Sequence, residues 1–232
     1  LGTLTAVSQL LAEVPEVAEL DINPLLADAT GVVALDARVR LDAARPGGAA
    51  RFAIRPYPRE LEERIDWQGR SLTLRPIRPE DEPQHLAFLQ RLDPEDIRMR
   101  VFYSRRSIER TELARLTQID YEREMAFIAT AATDDGPETL GVVRAVADPD
   151  NVEAEFGIVV RSDLKGSGLG ERLMRKMIAY LQARGTRWLT AVVLAENQRM
   201  LALARDLGFT IGARTADDTR AIRLPLHGAP GP

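Results

Sequence analysis

The sequence predicts an α/β fold in which a mixed central β-sheet is flanked by helices, with a short α/β segment at the N-terminus. Two observations lead to this fold class. From about residue 71 onwards, strand and helix patterns follow one another in the order βααβββαβαββ. Two of the helical patterns also end at a glycine, Gly185 and Gly208, which is the usual C-terminal signal of a helix.

The first segment, residues 1–43, is short for a complete domain. Residues 5–14 have helical spacing of apolar side chains, and residues 17–26 and 32–41 have the pattern of two strands. A segment of about 43 residues buries only a thin core. We therefore expect it to be the remnant of a larger domain, and we expect the start at Leu1 to mean that the sequence belongs to a longer chain.

Residues 44–70 are predicted to be a linker. They begin with a run of alanine, glycine and proline, and such runs interrupt regular structure. The rest of the stretch is charged and contains Pro56 and Pro58. This composition is that of a connecting arm rather than of a core.

The second segment, residues 71–226, carries the predicted sheet and helices, and residues 227–232 are a tail. Pro79 opens the first helix, with acidic residues in the first turn as the helix dipole favours. The predicted strands are residues 72–77, 125–132, 139–147, 152–160, 188–194, 209–213 and 220–226. After the helix that opens at Pro79, helical patterns cover residues 91–101, 108–116, 169–184 and 197–207.

Composition excludes several classes of function. The net charge of −4 argues against a general nucleic-acid-binding protein, which is usually basic. The absence of cysteine excludes a disulfide framework, a thiolate metal site and a cysteine nucleophile, and two histidines, His85 and His227, are too few for a metal cluster. No apolar run approaches the roughly 18 residues of a membrane span, and no secretory signal is present, so we expect a cytoplasmic protein.

A glycine-rich turn, Gly166-Ser167-Gly168-Leu169-Gly170, lies between a predicted strand and a predicted helix. Glycine lets the backbone approach an anion, and the first N–H groups of the helix and its dipole attract negative charge, so this geometry predicts a pyrophosphate site. The alternative is a tight turn that simply needs small residues. A Walker loop is excluded because Glu171 stands where lysine is required, and a dinucleotide fold would place its glycines early in the domain.

Three motifs in this order resemble the GNAT superfamily of N-acetyltransferases. Lys165-x-x-Gly168-x-Gly170 is similar to the signature Gln/Arg-x-x-Gly-x-Gly/Ala, with lysine in the first position, and residues 74–81 are typical of the first strand and helix. The second family motif is matched by Asn197, Met200, Leu203, Gly208 and Phe209. The resemblance covers residues 71–226 and implies a GNAT-like fold with acetyl-CoA as the co-substrate.

The resemblance also implies which groups bind acetyl-CoA. Main-chain amides at Ile158, Val159 and Val160 would grip the pantetheine and polarise the thioester carbonyl. Lys165 adds positive charge, and Asn197 can reach a pantetheine amide, although an ordinary helix N-cap is the alternative. The pyrophosphate would be held by the N–H groups of Gly166, Ser167, Gly168, Leu169, Gly170 and Glu171.

A narrower likeness is to bacterial protein lysine acetyltransferases of the Pat type. It rests on residues 118–127, 148–151 and 154–156. In those proteins a region like an acyl-CoA synthetase precedes the acetyltransferase. The likeness implies a protein substrate with a target lysine, by resemblance an AMP-forming acyl-CoA synthetase, and implies that the remainder of a larger synthetase-like chain accompanies this sequence.

The first segment supports the same likeness. Residues 19–25 and 33–38 resemble the end of the ATP-grasp domain of nucleoside-diphosphate-forming acyl-CoA synthetases. In that family the matching positions, Asn23 and Asp36, bind Mg²⁺, for which oxygen ligands are suited. The ATP-binding half is missing from the sequence, so turn residues in an inactive remnant are the alternative, and we predict no metal site.

Glu155 is the predicted general base. Lysine has a pKa of about 10.4, and attack on a thioester needs the neutral amine, so a carboxylate must take its proton. Glu155 lies in the strand before the glycine turn, where Pat-type proteins place a catalytic glutamate, and burial by apolar neighbours would raise its pKa. A solvated strand glutamate is the alternative, and Glu153 and Glu124 are the other candidates.

The group that protonates the leaving thiolate is not evident. Many GNAT enzymes carry a tyrosine where this sequence has Ala204. Tyr121 and Tyr103 are possible substitutes, or the thiolate leaves unaided, since thiol pKa values are near 8.5. Three functions remain open: a protein lysine acetyltransferase, a small-amine or antibiotic acetyltransferase, and a non-catalytic module that senses acetyl-CoA.

Overall fold

The computed structural model describes residues 2–28, 31–43, 55–101, 110–134 and 136–227. The chain forms two compact units, Leu1–Pro56 and Tyr57–Pro232. No helix in the described residues is both long enough and apolar enough to cross a membrane.

The N-terminal unit contains one helix and two small antiparallel sheets. Its elements are α1 (Gly2–Glu13), β1 (Val17–Ile22), β2 (Leu25–Ala27), β3 (Val32–Ala34) and β4 (Ala37–Leu41). β1 pairs with β4, and β2 pairs with β3, so each of the two predicted strands is divided. Val17 is the only buried residue among those described in this unit, which agrees with the thin core expected for its length.

The two positions matched to Mg²⁺ ligands are neighbours in this unit. The N–H of Asn23 donates to the carbonyl of Asp36 at 3.1 Å. The Asp36 carboxylate lies 3.5 Å from the Arg38 guanidinium. The structure therefore brings the two positions together at the backbone, with the carboxylate facing an arginine.

The second unit is built on one eight-stranded sheet with the order β11-β12-β10-β9-β8-β7-β6-β5. The strands are β5 (Glu63–Trp67), β6 (Arg70–Pro76), β7 (Glu124–Thr133), β8 (Gly136–Ala147), β9 (Glu153–Val160), β10 (Trp188–Leu194), β11 (Thr210–Arg214) and β12 (Thr219–Pro225). The helices are α2 (Glu82–Gln90), α3 (Pro94–Val101), α4 (Arg110–Thr117), α5 (Leu169–Ala183) and α6 (Gln198–Asp206). β9 and β10 are parallel and the other neighbours are antiparallel, which confirms the predicted mixed sheet.

Both faces of the sheet are covered at β7. Phe127 packs into the larger core with Leu173 and Met177 of α5, whereas the next residue, Ile128, packs with Phe88 of α2 on the opposite face. Because successive strand residues face opposite sides, a strand covered on both faces is apolar almost throughout. This explains the nearly continuous apolar run of β7.

The predicted linker is wrong at its C-terminal end. β5 pairs with β6 through a two-residue turn in which Gln68 has φ 53° and Gly69 has φ 74°, the backbone of a type I′ hairpin. Trp67 is buried and belongs to the larger core. The prolines and charges upstream obscured a short strand whose alternating apolar residues, Ile65 and Trp67, are its only signal.

Asp81 fixes the first helix of this unit to the sheet. Its carboxylate accepts two hydrogen bonds of 2.7 Å from the Arg75 guanidinium of β6 and one of 2.8 Å from the N–H of Arg78. The side chain is buried, so a bidentate charged partner compensates its desolvation. The helix predicted to open at Pro79 begins as a 3₁₀ turn, Pro79–Asp81, before α2.

Candidate active site

β9 and β10 are paired over three positions and then separate. The paired positions run from Glu153 opposite Trp188 to Glu155 opposite Thr190. Beyond them each strand keeps its outer neighbour, since β9 pairs with β8 up to Val160 and β10 pairs with β12 throughout its length. A wedge-shaped cleft of about 780 Å³ opens between the two strands.

The register of β9 shows which main-chain groups face this cleft. The N–H of Trp188 donates to the carbonyl of Val152 at 3.0 Å, so Val152 directs its main-chain groups towards β10. Alternate strand residues direct these groups to opposite edges. Beyond the last paired position, the residues that direct their main-chain groups to the same edge as Val152 are Phe156, Ile158 and Val160.

Two of the three predicted β9 residues therefore present their main chain to the cleft, Ile158 and Val160. The main chain of Val159 instead faces β8, where its partner is Val142. Two residues after Val159, the N–H of Arg161 donates to a β8 carbonyl at 2.9 Å. Because alternate residues direct their main-chain groups to the same edge, this hydrogen bond also places the groups of Val159 on the β8 side. Phe156, which sequence reasoning missed, uses its N–H in the last paired row and provides the first unpaired main-chain carbonyl after the strands separate.

The glycine turn lies at the wide end of the cleft. Gly166 and Gly168 have φ of 76° and 82°, in the left-handed region that favours glycine. Leu169 is fully buried and anchors the first turn of α5 in the larger core. As the first residues of that helix, Leu169, Gly170 and Glu171 have N–H groups without an acceptor in a preceding turn.

Ser167 differs from the other residues of the turn because its N–H already has an acceptor. Its N–H donates to the carbonyl of Leu164 at 3.3 Å, and its hydroxyl donates to the same oxygen. Its carbonyl accepts a hydrogen bond of 3.1 Å from Nε1 of Trp67. Ser167 thus fastens the turn to β5, a contact that sequence reasoning missed because Trp67 was assigned to the linker.

Lys165 and Asn197 also have partners. The Lys165 ammonium forms an ion pair with Asp96 of α3. The side-chain oxygen of Asn197 accepts the N–H of Met200 at 3.1 Å, so Asn197 is the N-cap of α6, as the alternative interpretation held. Both residues line the cleft.

Glu155 lies at the last paired position, on the sheet face opposite α5. Its chain neighbours Ala154 and Phe156 are buried in the larger core, and strand alternation turns Glu155 the other way. The predicted burial of Glu155 is wrong, because its side chain is exposed. Among the described residues its carboxylate has no hydrogen-bond or ion-pair partner.

The other two carboxylates considered are engaged. Glu153 accepts a hydrogen bond of 3.0 Å from the Thr190 hydroxyl and lies 3.4 Å from the Arg223 guanidinium. Glu124 is paired with Arg144, which is mostly buried. Of the three candidates, Glu155 alone keeps its carboxylate free to accept a proton.

The tyrosines offered as thiolate proton donors are not at the cleft where the structure describes them. The hydroxyl of Tyr121 donates to the carbonyl of Ile77 at 2.6 Å, and burial raises the pKa of Tyr121. Ala204 is fully buried, and Tyr103 lies outside the described residues. No tyrosine is among the described residues that line the cleft.

Two family models match the sequence. The model of the GNAT acetyltransferase domain matches residues 71–210, which is more than half of the chain. The model of an ATP-grasp domain matches residues 1–41.

Several known proteins that are similar to the chain are named as acetyltransferases. It is 32% identical over 160 residues to Acetyltransferase PA5475 of Pseudomonas aeruginosa, covering 68% of this chain and 86% of the relative. The GNAT domain of S. lividans PAT matches with a TM-score of 0.66 and 23% identity, covering 73% of this chain and 99% of that one. Spermidine N-acetyltransferase from Vibrio cholerae, solved with CoA and spermine, matches with a TM-score of 0.56 and 18% identity, covering 67% and 95%.

The likeness to these solved structures shows the fold, since their identities are low. The match of the domain model over more than half of the sequence, together with the Pseudomonas relative, goes further. On these grounds the chain belongs to the GNAT family of acetyltransferases.

Proposed function

We propose that this protein transfers the acetyl group of acetyl-CoA to a lysine side chain of a protein substrate, with Glu155 as the general base. One observation carries the proposal. Glu155 has a free, exposed carboxylate at the row where β9 and β10 separate. The carbonyl of the residue that follows it, Phe156, is the first main-chain group of β9 that faces the cleft without a partner on β10.

The cleft has the layout that acetyl-CoA requires. The pyrophosphate binds the N–H groups of Gly166, Gly168 and the first turn of α5, and the helix dipole adds attraction. The pantetheine then runs along β9 and hydrogen-bonds to the main chain of Ile158 and Val160. From Val160 back to Glu155 the strand spans about 16 Å, so an extended pantetheine arm brings the thioester close to Glu155.

The reaction needs no covalent intermediate on the protein. The neutral lysine amine attacks the thioester carbonyl, and the oxyanion that forms accepts hydrogen bonds from main-chain N–H groups that face the cleft, the first of which is that of Ile158. Glu155 takes the proton of the amine, directly or through water, because its carboxylate is exposed. Collapse of the intermediate forms the amide and releases the coenzyme A thiolate.

A protein substrate, and an AMP-forming acyl-CoA synthetase in particular, is supported by two likenesses. The sequence motifs resemble Pat-type enzymes, and the GNAT domain of S. lividans PAT shares the fold. Residues 1–41 match an ATP-grasp domain, as expected of the remainder of a larger synthetase-like chain.

The test is intact-mass spectrometry of a purified AMP-forming acyl-CoA synthetase incubated with this protein and acetyl-CoA. We expect a mass increase of one acetyl group that maps to a lysine and requires this protein. Spermidine in place of the synthetase is the comparison. Acetylation of spermidine alone would support the small-amine function, and binding of acetyl-CoA without any transfer would support the sensing function.

A further inference from the structure

Helix α3 crosses the cleft and is held to both of its walls. On one side Asp96 forms an ion pair with Lys165, which directly precedes the glycine turn. On the other side the Arg98 guanidinium lies 2.6 Å from the carboxylate of Glu196, before α6. Glu95, Asp96 and Met99 of the helix line the cleft. An acidic segment therefore lies beside the site proposed for the pyrophosphate.

Asp96 is fixed in this position. Its side chain is 12% exposed, and its second carboxylate oxygen accepts a hydrogen bond of 2.5 Å from the Ser162 hydroxyl. The Ser162 oxygen in turn accepts the N–H of Asp93 at 2.9 Å. Two contacts thus hold the start of α3 against the segment that leads to the glycine turn.

We propose that the Asp96 carboxylate occupies, at Lys165, the place that a phosphate of acetyl-CoA takes, so that binding exchanges one anion for the other. This inference rests on the proposed function. Lys165 directly precedes Gly166, whose N–H is directed to the pyrophosphate in that proposal. A diphosphate bound there is attracted to the Lys165 ammonium and repelled by a carboxylate held in place beside it.

The exchange makes Asp96 a positioning residue that acts through Lys165. Before binding, Lys165 is neutralised and one end of α3 is tied down. After binding, Lys165 pairs with the phosphate, and α3 keeps its tie from Arg98 to Glu196. Asp96 consequently weakens the binding of coenzyme A. Binding of coenzyme A in turn releases the end of α3 that Asp96 ties to Lys165.

The experiment is a double-mutant cycle on the affinity for coenzyme A, measured by calorimetry on the full chain. Asp96→Asn keeps the oxygen that accepts from Ser162 but removes the charge. We expect it to bind coenzyme A about fivefold more tightly, the size of a weak ion pair. In a Lys165→Met background the same change should give a clearly smaller gain, because only the direct repulsion between the carboxylate and the phosphates is then removed. Phosphate-free acetyl-pantetheine should bind the original protein and the Asp96→Asn variant equally.

Glu95→Gln is the matched control, because Glu95 lines the same cleft on the same helix and pairs with Arg98 at 2.9 Å. We expect it to change the affinity less than about twofold. An unchanged or weaker affinity of Asp96→Asn, or an equal gain in Glu95→Gln or in the Lys165→Met background, overturns the inference and leaves the proposed function standing. Failure of both the original protein and Asp96→Asn to bind coenzyme A overturns both.

Discussion

The Thr190 hydroxyl donates to the Glu153 carboxylate at 3.0 Å, although Thr190 faces Glu155 across the strand pair. The hydrogen bond therefore runs diagonally and holds the carboxylate further from the cleft. The carboxylate of Glu155, at the row where the strands separate, is left without a partner among the described residues. Two glutamates on the same face of one strand thus have different surroundings, which makes each a control for the other.

Gly168→Ala should weaken coenzyme A binding by about tenfold, because a left-handed residue with a side chain costs roughly 1–2 kcal/mol and the turn would change conformation. No atom lies within 4 Å of the added methyl group, so crowding does not contribute. Calorimetric titration with coenzyme A measures the effect.

Gly185→Ala is the control for backbone strain, since Gly185 has φ 77° and equally open surroundings at the other end of α5. Gly185→Ala should lower the free energy of unfolding about as much as Gly168→Ala does, and it should leave the affinity for coenzyme A unchanged. Equal affinities for Gly168→Ala and the original protein would show that the turn does not bind the pyrophosphate.

Trp67→Phe should loosen the glycine turn, because it removes the hydrogen bond from Trp67 to the Ser167 carbonyl. A lost hydrogen bond costs about 1 kcal/mol, so we expect a weakening of coenzyme A binding of about threefold to fivefold. The chain has two tryptophans, so in a Trp188→Phe variant the emission comes from Trp67 alone. That emission should change on addition of coenzyme A, and a constant spectrum with bound coenzyme would contradict the contact.

His85 should make stability depend on pH. Burial, helped by the charge of Arg144, lowers the pKa of His85 to about 4. The unfolded chain, with a histidine pKa near 6.5, therefore binds the proton first as the pH falls. Stability is complete above about pH 6.5 and is lost towards pH 4, by something on the order of 3 kcal/mol.

Urea unfolding at a series of pH values tests this statement. His85→Leu should have a shallower loss of stability between pH 6.5 and 4, because the leucine takes up no proton. His227→Leu changes an exposed histidine and should keep the original dependence. The same pH dependence in all three proteins would show that His85 does not titrate as its burial implies.

Local patterns were enough to predict much of the fold and part of the site. β10 has the predicted bounds, because a strand between Gly185 and the N-cap of α6 is delimited by local signals. The glycine turn was predicted because strand, glycine and helix are contiguous. Val159 was misplaced because the direction of its N–H depends on the register with β8, which is set by a distant part of the chain.

Contacts between distant segments could not be predicted. Asp96 meets Lys165, and Trp67 meets Ser167, only because the fold brings these segments together. The exposure of Glu155 depends on which sheet face the helices leave open at that row. Such properties follow from packing, for which the sequence of a single strand carries no signal.

The most direct test of the central claim is the rate of acetyl transfer by Glu155→Gln at saturating acetyl-CoA, with Glu153→Gln as the control. We predict that Glu155→Gln lowers the rate by at least about a hundredfold, in the usual range for a lost general base, while acetyl-CoA still binds. Glu153→Gln should lose less than about fivefold, since its carboxylate is held by Thr190 and Arg223. An unchanged rate for Glu155→Gln would contradict the account.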